Sequence, residues 1–214
     1  MALSTYTELK AAISDWAHSD SLTDARLTDI VALAEAKLNT QLRIAPMETV
    51  DSLSLTAGAS SVSVPTGFLQ AIAVAYSSDD FLLVQADEVQ MHQWRADAET
   101  GRPAYYAIGN GLVLFDVTAD ATYTFSIRYF KKWSLATDST NWLLTNRPQV
   151  YLYGSLAEAS KWLEYWDRAQ SYEQMFRQEI TELENANHNE KAGAQLRVDR
   201  GLVSRGVFDI NTGA

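Results

Sequence analysis

The first residues to weigh for chemistry are the histidines His18, His92 and His188. Each stands in a different segment without a partner at metal-ligand spacing, so they read as surface or loop residues. Adjacent carboxylates occur at Asp79-Asp80 and Asp87-Glu88. A glycosidase pair needs a set separation across a cleft, whereas turns favour Asp for backbone reasons, and the second account fits a chain this acidic. Gly109-Asn110-Gly111 lacks the lysine and the following helix of a phosphate loop. No serine stands in a nucleophile elbow. The chain has no cysteine, which removes thiol nucleophiles, thiolate zinc sites and disulfides. "RYFKKW", Arg128 to Trp133, mixes cations with rings as single-strand binders do, but a strand with a solvated basic end explains it better. No catalytic residue, metal or cofactor is expected.

Composition points the same way. An apolar content of 47% across 214 residues is enough for a core of ordinary depth and too much for a disordered chain. No apolar run approaches the length of a membrane span, and "MALSTYTELK" lacks the basic start and apolar stretch of a signal peptide, so synthesis in the cytoplasm is the expectation. The net charge of -10 repels nucleic acid. That charge is uneven. From Lys191 onward Lys191, Arg197, Arg200 and Arg205 face Asp199 and Asp209, a net of +2, which leaves -12 on the preceding 190 residues.

The elements follow from periodicity. Thr5 and Glu8 form a capping box ahead of Leu9, Ile13 and Trp16, and a second helix spans Thr23 to about Leu42 on a stripe of Leu27, Ile30, Val31, Ala34 and Leu38. Pro46 ends it. From Glu48 to Trp133 the texture alternates: "TVDSLSL", "SVSV", "FLQAIAVAY", "FLLV", "YYAIGNGLVLF" and "YTFSIRYF" read as strands. Asn110-Gly111 suits a type I′ hairpin, and a short helix covers about Ala86 to Ala96. Asn146 is expected to cap a helix started by Pro148, with Gln149 completing a capping box and Leu152, Leu156, Ala159 and Leu163 as its stripe. "EYWDR" reads as a bend before a last helix on Tyr172, Phe176, Ile180 and Leu183, fraying at "NANHNEKAG".

The expected fold is α+β: a bundle made by N-terminal helices (1–46) and C-terminal helices (135–188), an inserted β-sandwich or barrel-like domain (47–134), and an extended tail (189–214). Trp142, Tyr151, Tyr153, Trp162, Tyr165 and Trp166 crowd one helical stretch. They exceed what the leucine stripe can bury, and Tyr and Trp favour surfaces packed on one side and wet on the other. They are the candidate subunit interface.

Four segments in order carry a resemblance: "TYTELKAAISDW" (Thr5–Trp16), "ALAEAKLNTQLR" (Ala32–Arg43), "GRPAYYAI" (Gly101–Ile108) and "NWLLTNRPQVYLYGSLAEA" (Asn141–Ala159). Over roughly Thr5 to Arg197 the chain resembles head-to-tail adaptor proteins of short-tailed bacteriophages. The resemblance implies a non-enzymatic structural protein of the virion neck, in a ring of about twelve copies between the portal protein and the tail nozzle, with DNA passing through the lumen. An acidic body suits a channel in which DNA must slide without being gripped. The tail is expected to dock on the portal, with Arg197, Arg200 and Arg205 on acidic surface and Leu202, Val203, Val207, Phe208 and Ile210 in apolar grooves. Two other readings stay open, a different tail or baseplate structural protein and a carbohydrate-binding module on the β-region.

Overall fold

The computed structural model describes residues 3–19, 21–95 and 99–195. Helix α1 (Tyr6–Ala17) opens on the expected capping box: Thr5 Oγ1 accepts the Glu8 N–H at 3.3 Å while Glu8 Oε2 accepts the Thr5 N–H at 3.1 Å. Its buried seam follows the i+4 row through Leu9, Ile13 and Ala17, which leaves Trp16 at the flank and 49% exposed rather than in the stripe. Helix α2 (Asp24–Gln41) buries Leu27, Ile30, Val31, Ala34 and Leu38 as its spacing predicts. Pro46 lies in a single 3₁₀ turn, Ala45–Met47, that turns the chain into the strands.

Strands β1 (Glu48–Leu55), β2 (Ser61–Ser63), β3 (Phe68–Tyr76) and β4 (Val84–Gln85) precede helix α3 (Glu88–Arg95). Strands β5 (Thr100–Gly101), β6 (Tyr105–Gly109), β7 (Leu112–Phe115), β8 (Thr118–Ala119) and β9 (Tyr123–Lys131) follow it. One sheet has the order β1-β9-β3, a second β2-β7-β6-β4, and β5 and β8 form a small parallel pair. Leu53, Val74, Tyr76, Phe125 and Ile127 of the first sheet pack on Tyr106, Val113 and Phe115 of the second, so the region is a two-sheet sandwich. Asn110 (φ 49°) and Gly111 (φ 73°) make the two-residue hairpin between β6 and β7, both with the positive φ of a type I′ turn.

Strand β9 joins the two halves of the fold. Neighbouring residues of a strand face opposite sides, and Tyr129 enters the sandwich core while Phe130 enters the helical core. Helix α4 (Leu135–Asp138) and helix α5 (Trp142–Asn146) lead to α6 (Pro148–Trp162) and α7 (Trp166–Gln195). The N- and C-terminal helices pack together around α6, which meets α1, α2, α5 and α7.

Three local expectations change here. Asn146 is the last residue of α5 and does not cap α6; Arg147 holds the cap position, and Pro148 opens the helix as foreseen. The polar cap falls one turn earlier, where Asn141 Oδ1 accepts the Leu144 N–H at 2.9 Å. Gln149 reaches Glu179 on α7 at 3.1 Å instead of turning back to its own cap. Finally, α7 continues through "NANHNEKAG". Asn187 holds it there, accepting the Ala45 N–H at 2.9 Å and so tying the last helix to the turn before β1.

Charges also bind three helices. Glu173 on α7 takes Lys37 of α2 at 2.8 Å and Lys161 of α6 at 3.1 Å, and Glu158 takes the same two lysines at 2.5 and 3.0 Å. Burial raises the Glu173 carboxyl, but the two lysines outweigh it and hold the group down at about 2. A depressed carboxyl contributes stability above its unfolded value, and that contribution is lost as pH falls toward the folded value. The native chain is therefore expected to lose stability between about pH 4.5 and 2, and Glu173→Gln to flatten that part of a urea-midpoint against pH curve. An unchanged slope would remove the network from the acid response.

Candidate assembly surfaces

The residues with catalytic potential are spread out. His18 ends α1 in a left-handed conformation, His92 lies on α3 and His188 on α7. Among the described residues no three His, Asp or Glu side chains form a group able to hold a metal ion. The adjacent acids do backbone work. Asp79 accepts the Phe81 N–H at 3.3 Å and pairs with Arg102 at 2.6 Å, which holds its carboxyl below the usual range. Asp87 accepts the Val89 N–H at 2.7 Å, at the start of α3. Arg128 faces Glu48 across the β1–β9 pair at 3.3 Å, on the solvated side of the strand.

Tyr151 is not a surface ring. It is fully buried, and its hydroxyl accepts from Asn141 Nδ2 at 2.7 Å and donates to Glu35 Oε1 at 3.5 Å. Glu35 also accepts the Leu135 N–H at 2.6 Å, which ties α2, α4 and α6 into one buried knot. Burial pushes both the Glu35 carboxyl and the Tyr151 hydroxyl up. The leucine stripe gave too narrow a picture of α6: four helices surround it, and Val150, Tyr151, Leu152, Gly154, Ser155, Leu156, Ala157, Ala159 and Ser160 are all buried. The signal for this was present in the small residues Gly154, Ser155, Ala157, Ala159 and Ser160, which let neighbouring helices approach closely. Tyr153 is half-buried against the same core.

The remaining rings are exposed. Trp142 on α5 is 42% accessible. Trp162, Tyr165 and Trp166 sit together at the corner between α6 and α7, at 46, 51 and 66%. Glu164 turns this corner with φ at +61°, a conformation that costs a non-glycine residue about 1 kcal/mol. Arg26 of α2 lies over the Trp162 ring at 4.5 Å and Arg168 over Tyr165 at 5.4 Å. Trp166 stands between two open clefts, one of about 720 Å³ shared with Ala17 and His18 at the end of α1, the other of about 570 Å³ shared with Lys161 and Arg177. The candidate tail residues Arg197, Arg200, Leu202, Val203, Arg205, Val207, Phe208 and Ile210 lie outside the described residues.

A mixed α+β fold that exposes an aromatic corner beside open clefts lined largely by charged and polar side chains presents surface for contact with other proteins. The chain belongs to the SU10 adaptor protein family, whose profile matches residues 4–199. It is a head-to-tail adaptor of a phage virion, non-enzymatic, and it interacts with other proteins of the virion neck. No curated protein matches the chain. No described helix is long and apolar enough to cross a membrane.

Proposed function

We propose that about twelve copies close into a ring that joins the portal protein to the tail nozzle and lets DNA pass through its lumen. The observation that carries this reading is the α6–α7 corner, where Trp162, Tyr165 and Trp166 stay exposed although the bundle core is complete without them. Exposed rings gathered at one corner of a protein of this size mark a contact surface. Trp142 and Tyr153 belong to the same proposed contacts between copies. Acidic side chains face the channel and repel the phosphate backbone, in keeping with the net charge of -10. The basic C-terminal segment docks on the portal, with Arg197, Arg200 and Arg205 as its charged contacts.

Mass measurement of the protein alone and with its portal tests the assembly. The joint substitution Trp162→Ala and Trp166→Ala is expected to abolish ring formation while changing unfolding stability by no more than about 1 kcal/mol, as exposed positions do. Unfolded monomer would instead assign the corner to the core. Rings of normal size and yield would take the corner out of the contact.

A further inference from the structure

A second surface lies on the sandwich, and the ring reading makes no use of it. Val84 of β4 stands opposite Tyr105 of β6 in parallel register, so their side chains share the outer face of the second sheet. Both are exposed, at 56 and 37%, and Leu82, two residues before Val84, is 60% exposed while Leu83 between them is buried. Trp94, at the end of α3, packs against Tyr105 with ring centroids 4.8 Å apart and planes tilted by 46°. The tilted rings wall a cleft of about 300 Å³ whose other sides are Glu99, Asp116 and Val117. Asp116 is fixed in place, since its carboxylate accepts the N–H groups of Ala104 and Tyr105 at 3.1 and 3.2 Å.

The chemistry of this cleft is one-sided. Two aromatic rings and two carboxylates line it, and among the described residues no basic or amide side chain does. Ring faces and carboxylates both attract cations. A sugar ring would need donors for its hydroxyl oxygens as well as stacking surfaces, and the lining side chains offer few. The apolar strip beside the cleft adds a second requirement, because Leu82 and Val84 lose nothing to water only when apolar groups cover them.

We infer that this cleft is a socket for the arginine or lysine side chain of a protein partner, with the partner's adjoining apolar residues covering Leu82 and Val84. The socket is on the β-region, whereas the aromatic corner is at the far end of α2, whose last turn leads into β1. The chain thus carries two separate contact surfaces, and the socket stands whether or not the copies close into a ring.

The test titrates the isotopically labelled full chain with the blocked peptide acetyl-Ser-Leu-Arg-Val-Leu-Ser-amide and with its counterpart in which citrulline, of the same shape but uncharged, replaces arginine. The arginine peptide is expected to shift the Trp94 indole and Tyr105 signals, and the citrulline peptide to bind about tenfold more weakly. Glu99→Gln should weaken the arginine peptide about threefold without moving the melting temperature. Trp94→Ala should abolish the response at Tyr105 while the rest of the spectrum stays native. Equal affinity for the two peptides, no shift at Trp94, or indifference to Glu99→Gln would overturn the socket. A response to chitooligosaccharide in place of the peptides would make the cleft a sugar platform instead.

Discussion

Gly154→Val is expected to destabilise the protein by about 3 kcal/mol, the upper range for overpacking a closed core. A Cβ built on Gly154 falls 2.8 Å from Cε2 and 3.0 Å from Cδ2 of Phe176, with the Ala34 Cβ at 3.5 Å behind it. Phe176 is 1% exposed and Ala34 is fully buried, so the ring has no solvent to swing into. At this point α6 lies against α7 on one side and α2 on the other. Alanine sets two effects against each other: it gains about 1 kcal/mol of helix propensity and loses about 1–3 to the contact, for a modest net loss. Valine adds two more methyl groups and a β-branch in the same space, so the loss dominates. Phe176→Leu, which withdraws the ring edge, should recover part of the Gly154→Val loss, a coupling that a double-mutant cycle in urea measures. A stable Gly154→Val protein with an unchanged midpoint would mean that the helices do not approach this closely.

Glu35→Ala has the next largest expected effect, about 2 kcal/mol, the cost of stranding a buried donor. The Leu135 N–H would lose its acceptor and Tyr151 would keep only Asn141. Glu35→Gln separates the hydrogen bond from the charge. Its amide oxygen can still accept the Leu135 N–H, so it should cost less than the alanine change and stand near the native stability at neutral pH. The pH dependence gives the second readout. Burial raises the Glu35 carboxyl above its unfolded value of 4.5. A raised acid binds its proton more tightly in the folded chain, so its contribution is full below pH 4.5 and is lost as pH rises through the folded value. Glu35→Gln is expected to flatten that decline, whereas Glu173→Gln acts on the opposite slope, below pH 4.5. Urea midpoints from about pH 2 to about pH 8 for the two variants resolve both; a Glu35→Gln curve parallel to the native one would remove Glu35 from the pH response.

Much of the fold was legible because its signals are local. The capping box at Thr5 and Glu8, the apolar row of α2, the Asn110-Gly111 hairpin and the Pro148 helix start each depend on residues a few positions apart. The division into helical ends and a strand-rich middle followed from the change of period from 3.6 to 2. Helix ends were less secure. Asn146 and Asn141 are both good caps by residue type; Asn141 caps α5, whose Leu143 and Leu144 pack into the bundle, while Asn146 ends that helix and Arg147 holds the cap position of α6. The fraying expected near residue 186 did not occur, because Asn187 finds the Ala45 N–H, a partner 142 positions away.

The candidate contact residues divide along the same line. The sequence by itself determined that this chain has more rings than one helical stripe can cover, and that it offers no constellation for catalysis. Which rings are covered was decided by the tertiary structure. A ring's side of the helix follows from its position, but its exposure depends on how many neighbours that helix acquires. Helix α6 has four, so Tyr151 joins Glu35 in the core, while Trp162, Tyr165 and Trp166 stand at the corner where the chain bends at Glu164 from α6 into α7, and stay exposed there. The Trp94–Tyr105 cleft lay beyond reach for a related reason: α3, β6 and the β7–β8 segment each bring one wall, and only the parallel register of β4 on β6 sets the apolar strip beside it.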